Sequence, residues 1–168
     1  MSDESFRFLP LVEQDIPLLW EWMNRPHVAE WWDGAISLEV VREKYLPRTN
    51  ESRVRAYLAI RDEIPLGYVQ SWLVKDQGEE WWQPEEDPGV LGIDQFLANE
   101  SDLGQGIGTA MVRSFVAMLF TDPAVTRVQL DVDPANGRAL RCYEKVGFRR
   151  CGAAETPGGP VILMRMER

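Results

Sequence analysis

Residues 90–132 read VLGIDQFLANESDLGQGIGTAMVRSFVAMLFTDPAVTRVQLDV. The segment opens on Val90 to Ala98, an apolar run of strand length. Glycines 104, 106 and 108 follow within one short turn, then an apolar helix over Thr109 to Phe120 and a second strand over Thr126 to Val132. Strand, glycine turn, helix and strand form a crossover unit, which puts the turn at the carboxyl end of the first strand.

Outward from this unit, Phe6 to Leu9 reads as a first strand. Asp15 is placed to cap a helix from Ile16 to about Asn24, with Pro17 in its first turn and Ile16, Leu19, Trp20 and Met23 on one face. Pro26 limits that helix, and Ser37 caps a second one running through Tyr45. Val54 to Arg61 and Gly67 to Val74 read as antiparallel strands around a turn at Asp62 to Pro65. Lys75 to Gly89 reads as a long acidic loop carrying Trp81 and Trp82. On the carboxyl side, Asn136 to Val146 reads as a helix stopped by Gly147. Arg149 to Ala154 and Val161 to Met166 form a last strand pair, turning at Gly158 and Gly159. Strands alternating with crossover helices imply an α/β (α+β) chain with a mixed central sheet, in a single domain over residues 1–168.

Composition narrows the function. Eighteen Lys and Arg against 27 Asp and Glu leave a net charge of −9, which repels a nucleic-acid backbone and suits a cationic partner. No apolar stretch is long enough to span a membrane, and the acidic amino terminus lacks a signal-peptide core, so the expected location is cytoplasmic. Two cysteines, Cys142 and Cys151, and the single His27 give no metal-site spacing, and no metal is expected.

The turn Leu103-Gly104-Gln105-Gly106-Ile107-Gly108-Thr109 offers successive backbone N–H groups at a helix start, which suits phosphate oxygens. It has neither the Lys-Ser/Thr ending of a P-loop nor the dinucleotide fingerprint, and a tight connection with no ligand is the alternative reading. Asp94 is a charge inside an apolar strand; it either satisfies backbone groups at a sheet edge or serves chemistry. By strand alternation Gln129, Asp131 and Asp133 lean to one side, so Asp131 and Asp94 can flank one cleft. Asp133 also suits capping of the turn that follows. Trp31, Trp32, Trp81 and Trp82 suit the walls of an ammonium pocket, core or oligomer-interface packing being the alternative. His27 is placed to steady the loop bearing Trp31 and Trp32, and Cys142 has no basic partner that would make it a nucleophile.

The glycine turn, the run Asp133-Pro134-Ala135-Asn136 and the later Ala139, Cys142, Tyr143, Glu144, Lys145, Val146, Gly147 and Phe148 resemble the GCN5-related N-acetyltransferase superfamily. Leu103 stands where that family has Arg or Gln. The pattern Glu21-Trp22-x-Asn24-Arg25-x-His27, Glu30-Trp31-Trp32, Tyr68-x-Gln70-Ser71, Trp81-Trp82 and Asp87-Pro88-Gly89-x-x-Gly92-Ile93-Asp94-Gln95 is similar to the aminoglycoside 6'-N-acetyltransferases. Gly158 departs from members that carry Asp there, and Glu79 from a member with Asp. The resemblance implies a mostly antiparallel sheet and acetyl-CoA as co-substrate, held by Gln105, Gly106, Ile107, Gly108, Thr109, Asn136 and Tyr143. It implies Asp94 and Tyr143 as the catalytic pair and Trp32, Glu79, Trp82, Asp94 and Asp131 around a cationic amine, in a monomer or homodimer. An acetyltransferase for another small amine, such as a siderophore precursor or polyamine, and a non-catalytic acyl-CoA-binding domain are the alternatives.

Overall fold

The computed structural model describes residues 5–50, 53–76 and 84–168. Seven strands form one sheet: β1 (Arg7–Pro10), β2 (Val54–Arg61), β3 (Ile64–Leu73), β4 (Val90–Leu97), β5 (Arg127–Val132), β6 (Arg149–Thr156) and β7 (Gly159–Glu167). Their order is β1-β2-β3-β4-β5-β7-β6, and every neighbouring pair is antiparallel except β4 with β5. Helices α1 (Ile16–Met23), α2 (Pro26–Ala29) and α3 (Leu38–Tyr45) lie in the first third, α4 (Ile107–Leu119) joins β4 to β5, and α5 (Gly137–Val146) joins β5 to β6. This is the mixed, mostly antiparallel sheet expected, with the crossover unit at its centre.

The two sheet faces bury separate cores. Ile93, Leu97, Val128, Leu130 and Val132 pack with Met111, Val112, Phe115 and Val116 of α4. On the other face Tyr68 and Phe96 pack with Ile16, Leu19, Trp22 and Met23 of α1 and Val41 and Tyr45 of α3. Alternation along β4 and β5 therefore assigns Asp94 and Asp131 to the α1–α3 face and Gln95 to the α4–α5 face.

The β4–β5 pairing covers Val90–Gly92 against Arg127–Gln129, whereas β3 follows β4 as far as Leu97. Among the described residues, β4 beyond Gly92 thus has one strand edge unpaired, and a wedge opens between β4 and β5. The last parallel pair is Gly92 with Gln129, so two residues further on Asp94 and Asp131 stand at one level on the same face, across the wedge.

Several expectations need correction. Trp20 is exposed and donates its indole N–H to the Ile36 carbonyl at 2.9 Å, while Trp22 is buried edge-on against Phe96; the apolar face of α1 is turned toward Trp22. Asp15 stands before α1 but spends its carboxylate on the Val12 N–H at 3.0 Å, so it does not cap the helix by its side chain. Pro26 does more than limit α1: it opens α2, where its missing N–H costs no helical bond. The hairpin turn between β2 and β3 is only Asp62 and Glu63, both with positive φ, and Pro65 lies within β3 opposite a register shift at Ala59 and Ile60. Helix α4 starts at Ile107, two residues before the expected start. Ser37 does cap α3, accepting the Val40 N–H at 3.2 Å.

Candidate active site

Below the wedge lies a cavity of about 400 Å³, lined by β4, the glycine turn, the start of α4, the inner face of α5 and the α2 segment. Gly104 and Gly106 have φ of +72° and +79°, a backbone region that L side chains disfavour, and Gly106 is the residue from which α4 springs. The first intrahelical bond runs from the Ala110 N–H to the Gly106 carbonyl, leaving the N–H groups of Ile107, Gly108 and Thr109 without an intrahelical acceptor. Gly108 is held by closeness instead: a Cβ there would sit 3.4 Å from Leu97 Cδ1. Gly106, Gly108 and Thr109 line the cavity, whereas Gln105 is exposed and the Ile107 side chain packs into the core. Only the backbone of the latter two is offered at the turn.

Arg138, Arg141 and Lys145 of α5 also line the cavity, at spacings that share one helix face. On a chain of net charge −9 this is a local cationic margin beside an N–H-rich turn, a combination suited to phosphates. Asn136 caps α5, its Oδ1 accepting the Ala139 N–H at 3.2 Å, which leaves its amide nitrogen as the donor at the cavity wall.

Tyr143 lines the deep end, its ring edge-on to Phe148 with centroids 5.9 Å apart. Gln95 donates its amide N–H to the Tyr143 hydroxyl oxygen, leaving the phenolic proton to be donated elsewhere. Burial first, then the neighbouring Cys142 and Asp94, pushes the phenol well above its ordinary value, against the pull of the Gln95 bond. Cys142 takes the Thr109 hydroxyl at 3.6 Å, and burial pushes its thiol up, so it is a poor nucleophile.

Asp94 faces away from Tyr143's wall and takes the Gln70 amide N–H on its Oδ2 at 3.0 Å, across the register pair Gln70–Asp94. Asp131 stands half-buried across the wedge. Asp133 accepts the Ala135 N–H at 2.8 Å and serves the turn before α5. Trp32 lines the cavity with its ring edge-on to Phe96 and Tyr68, at centroid distances of 4.9 and 5.9 Å. Glu79, Trp81 and Trp82 lie outside the described residues.

The motif around His27 turns out to be a fastening. Arg25 donates to the Ala98 carbonyl and to Asn99 Oδ1, both at 2.7 Å, and His27 Nε2 is 2.9 Å from the Leu97 carbonyl. Asn24 clamps Ile36 through both its backbone N–H and its carbonyl. Together they tie the Trp31–Trp32 wall to the end of β4. Gln95 and Gln70 were legible only as members of a motif, and Arg48, which bonds Gln70, carried no sequence signal.

The acetyltransferase (GNAT) domain model matches residues 12–156. The aminoglycoside N(6')-acetyltransferase type 1 of Klebsiella pneumoniae is 46% identical over 171 residues, covering 99% of this chain and 85% of the relative. A crystal structure of aminoglycoside acetyltransferase AAC(6')-Ib with coenzyme A and kanamycin superposes with TM-score 0.91 at 47% identity, covering 98% of this chain and 95% of that one. The same enzyme with ribostamycin and coenzyme A gives TM-score 0.92 at 46% identity over 98% and 94%. A split sheet with a glycine turn at the mouth of its wedge and a family match over most of its length agree on one conclusion: the chain belongs to the GNAT acetyltransferase family.

Proposed function

We propose that this chain, as one domain over residues 1–168, transfers the acetyl group of acetyl-CoA to the 6'-amino group of aminoglycosides, and so confers resistance to them. The observation that carries the reading is the wedge: Asp94 and Asp131 stand level across it on one face, and the next residues of β4, Gln95 to Leu97, line the cavity that holds the phosphate-suited turn. Relatives that bind kanamycin and ribostamycin with coenzyme A support it. Acetyl-CoA supplies the activated acyl group, and a cytoplasmic enzyme is the location that goes with this reading. No helix among the described residues is long and apolar enough to cross a membrane.

On this reading the backbone of Gln105 to Thr109 receives the pyrophosphate, and Asn136 offers its amide nitrogen to the pantetheine arm. The unpaired edge of β4 offers backbone groups that orient the thioester. Asp131, with Trp32 as a wall, holds the polycation; Glu79 and Trp82 belong to the same pocket by resemblance. An ammonium cannot attack, so Asp94 takes the amine's proton, directly or across one water. The amine nitrogen then bonds the acyl carbon, and the carbon–sulfur bond breaks with its electron pair on sulfur.

Tyr143 acts on that sulfur. A phenol raised above its ordinary value near 10 is a weaker acid than a thiol near 8.5, so complete transfer to the thiolate runs uphill by at least about 2 kcal/mol. Tyr143 therefore donates a hydrogen bond as the negative charge develops; after cleavage the nitrogen sheds its second proton on becoming an amide, and through solvent a proton reaches the thiolate to give the free thiol.

The test is acetyl transfer to kanamycin or tobramycin against the same scaffold with a 6'-hydroxyl. Transfer to the 6'-amine alone is expected. Equal transfer to both rejects 6' selectivity, and transfer to neither, with efficient acetylation of a peptide or siderophore amine, rejects the aminoglycoside reading.

A further inference from the structure

Behind Asp94 runs a string of polar groups that the reaction does not itself use. Gln70 is buried at 6% exposure. Its Oε1 accepts from the Tyr68 hydroxyl at 2.7 Å and from the Arg48 guanidinium, and its Nε2 donates to Asp94 Oδ2 at 3.0 Å. Arg48 comes from the 3-10 turn Leu46–Thr49 that follows α3, and its guanidinium carbon lies 4.4 Å from the centre of the Tyr45 ring.

The donor inventory gives this string a direction. A hydroxyl can donate or accept, and a carboxamide can turn end for end. A string of Tyr68, Gln70 and Asp94 alone could thus run either way: toward an ionised Asp94, or from a protonated Asp94 through Gln70 Oε1 with the amide nitrogen on Tyr68. Arg48 has donors only. With its N–H on Gln70 Oε1 the amide cannot turn without setting donor against donor, so Gln70 presents Asp94 with an N–H and never with its oxygen. We propose that Arg48 is a positioning residue that acts through Gln70 to hold Asp94 oriented and ionised for the incoming amine; this rests on the role given to Asp94 above.

Among the described residues, the phenols of Tyr45 on α3, Tyr68 on β3 and Tyr143 on α5 feel the Asp94 charge. Burial pushes all three phenols above their ordinary range, so none changes charge where a carboxylate titrates. Asp131 across the wedge is common to every variant below.

The experiment is the pH dependence of kcat/KM for kanamycin acetylation, beside a carbon NMR titration of the Asp94 carboxyl. Arg48→Met removes the one-way donor and its charge. It is expected to move the acid limb and the NMR midpoint upward by about half to one pH unit, a loss of about 3- to 10-fold on the acid side that fades toward the plateau. Tyr68→Phe removes the long 3.4 Å contact of Arg48 with the Tyr68 hydroxyl but leaves the guanidinium on Gln70 Oε1, and should move neither midpoint. Arg48→Lys keeps a donor-only cation and should stay near the wild type. Thermal unfolding checks that each variant folds; should Arg48→Met not fold, Arg48→Gln against Arg48→Lys makes the same comparison. A uniform loss at all pH values, or an unmoved NMR midpoint, overturns the proposal. Full turnover in Asp94→Asn would instead remove the role given to Asp94, while the NMR midpoint would still decide whether Arg48 controls its proton.

Discussion

Replacing Tyr143 by Phe keeps the ring against Phe148 and removes one hydroxyl. Two consequences follow. The developing thiolate loses a hydrogen bond to a charged acceptor, worth about 1.5–3 kcal/mol, or about 10- to 150-fold in the acetyl-transfer rate. The low part of that range is the better expectation, because thiolate sulfur is a diffuse acceptor. Stability also falls. Gln95 Nε2 loses its acceptor while Gln95 Oε1 is already buried without a partner among the described residues, so the variant carries a half-buried amide with neither end satisfied. That costs about 1–2 kcal/mol and lowers Tm by about 2–8 °C in a domain of this size. Single-turnover mixing of the acetyl-CoA complex with kanamycin reads the first effect free of product release. Calorimetry should find CoA and aminoglycoside affinity nearly unchanged. A single-turnover rate within about threefold of wild type would refute the role of the hydroxyl, whatever the change in Tm. Adding Gln95→Leu to Tyr143→Phe removes the orphaned amide; it should recover part of the lost stability and none of the lost rate.

Gly106→Asp puts a β-carbon on a residue with φ +79° and a carboxylate into the phosphate cradle, and calorimetry should show at least about a tenfold loss of CoA affinity. Asp131→Asn should raise the KM for kanamycin about 3- to 10-fold at low ionic strength, and that gap should narrow in 0.5 M salt, roughly, as screening takes over. Cys142→Ala should keep turnover within about twofold of wild type, since the thiol is held protonated; loss of turnover with CoA binding intact would bring back an acetyl-cysteine step.

Where one local cause decided a feature, the sequence was readable. Ser37 caps α3 because its hydroxyl reaches the Val40 N–H, Gly147 ends α5 because φ is +124° there, and Gly104 and Gly106 mark the turn because both need positive φ. Reading failed where tertiary contact chose between local equals. Trp20 and Trp22 are both apolar and two residues apart; a carbonyl at Ile36 for the one and the Phe96 ring for the other settled which is buried. Helix α2 is four residues long and shows no period. The sheet order β5-β7-β6 leaves no trace in the period-two pattern, which tells faces but not neighbours. The site divides in the same way. Asp94 stood out as a charge inside an apolar strand, Asp131 by strand alternation and Tyr143 only through the resemblance, whereas the Arg48–Gln70 contact joins residues 22 apart and exists only through the fold.

That Asp94 and Gln95 are consecutive has a chemical consequence. Side chains of adjacent strand residues point to opposite faces, so the carboxylate lies on the α1–α3 side with Gln70, and Gln95 reaches Tyr143 on the α4–α5 side. Were the carboxylate and the phenol on one face within reach, the phenol would spend its hydrogen bond on the carboxylate, and neither group would be free to serve the substrate. The strand itself separates them, and the unpaired edge between their side chains is where the thioester meets the amine on the proposed mechanism. The amine's proton then leaves toward one face and the thiolate is stabilised from the other. Any insertion or deletion of one residue between Gly92 and Asp94 would exchange the two faces. It should abolish turnover even in a variant that still binds CoA, because the glycine turn and α5 would remain in place.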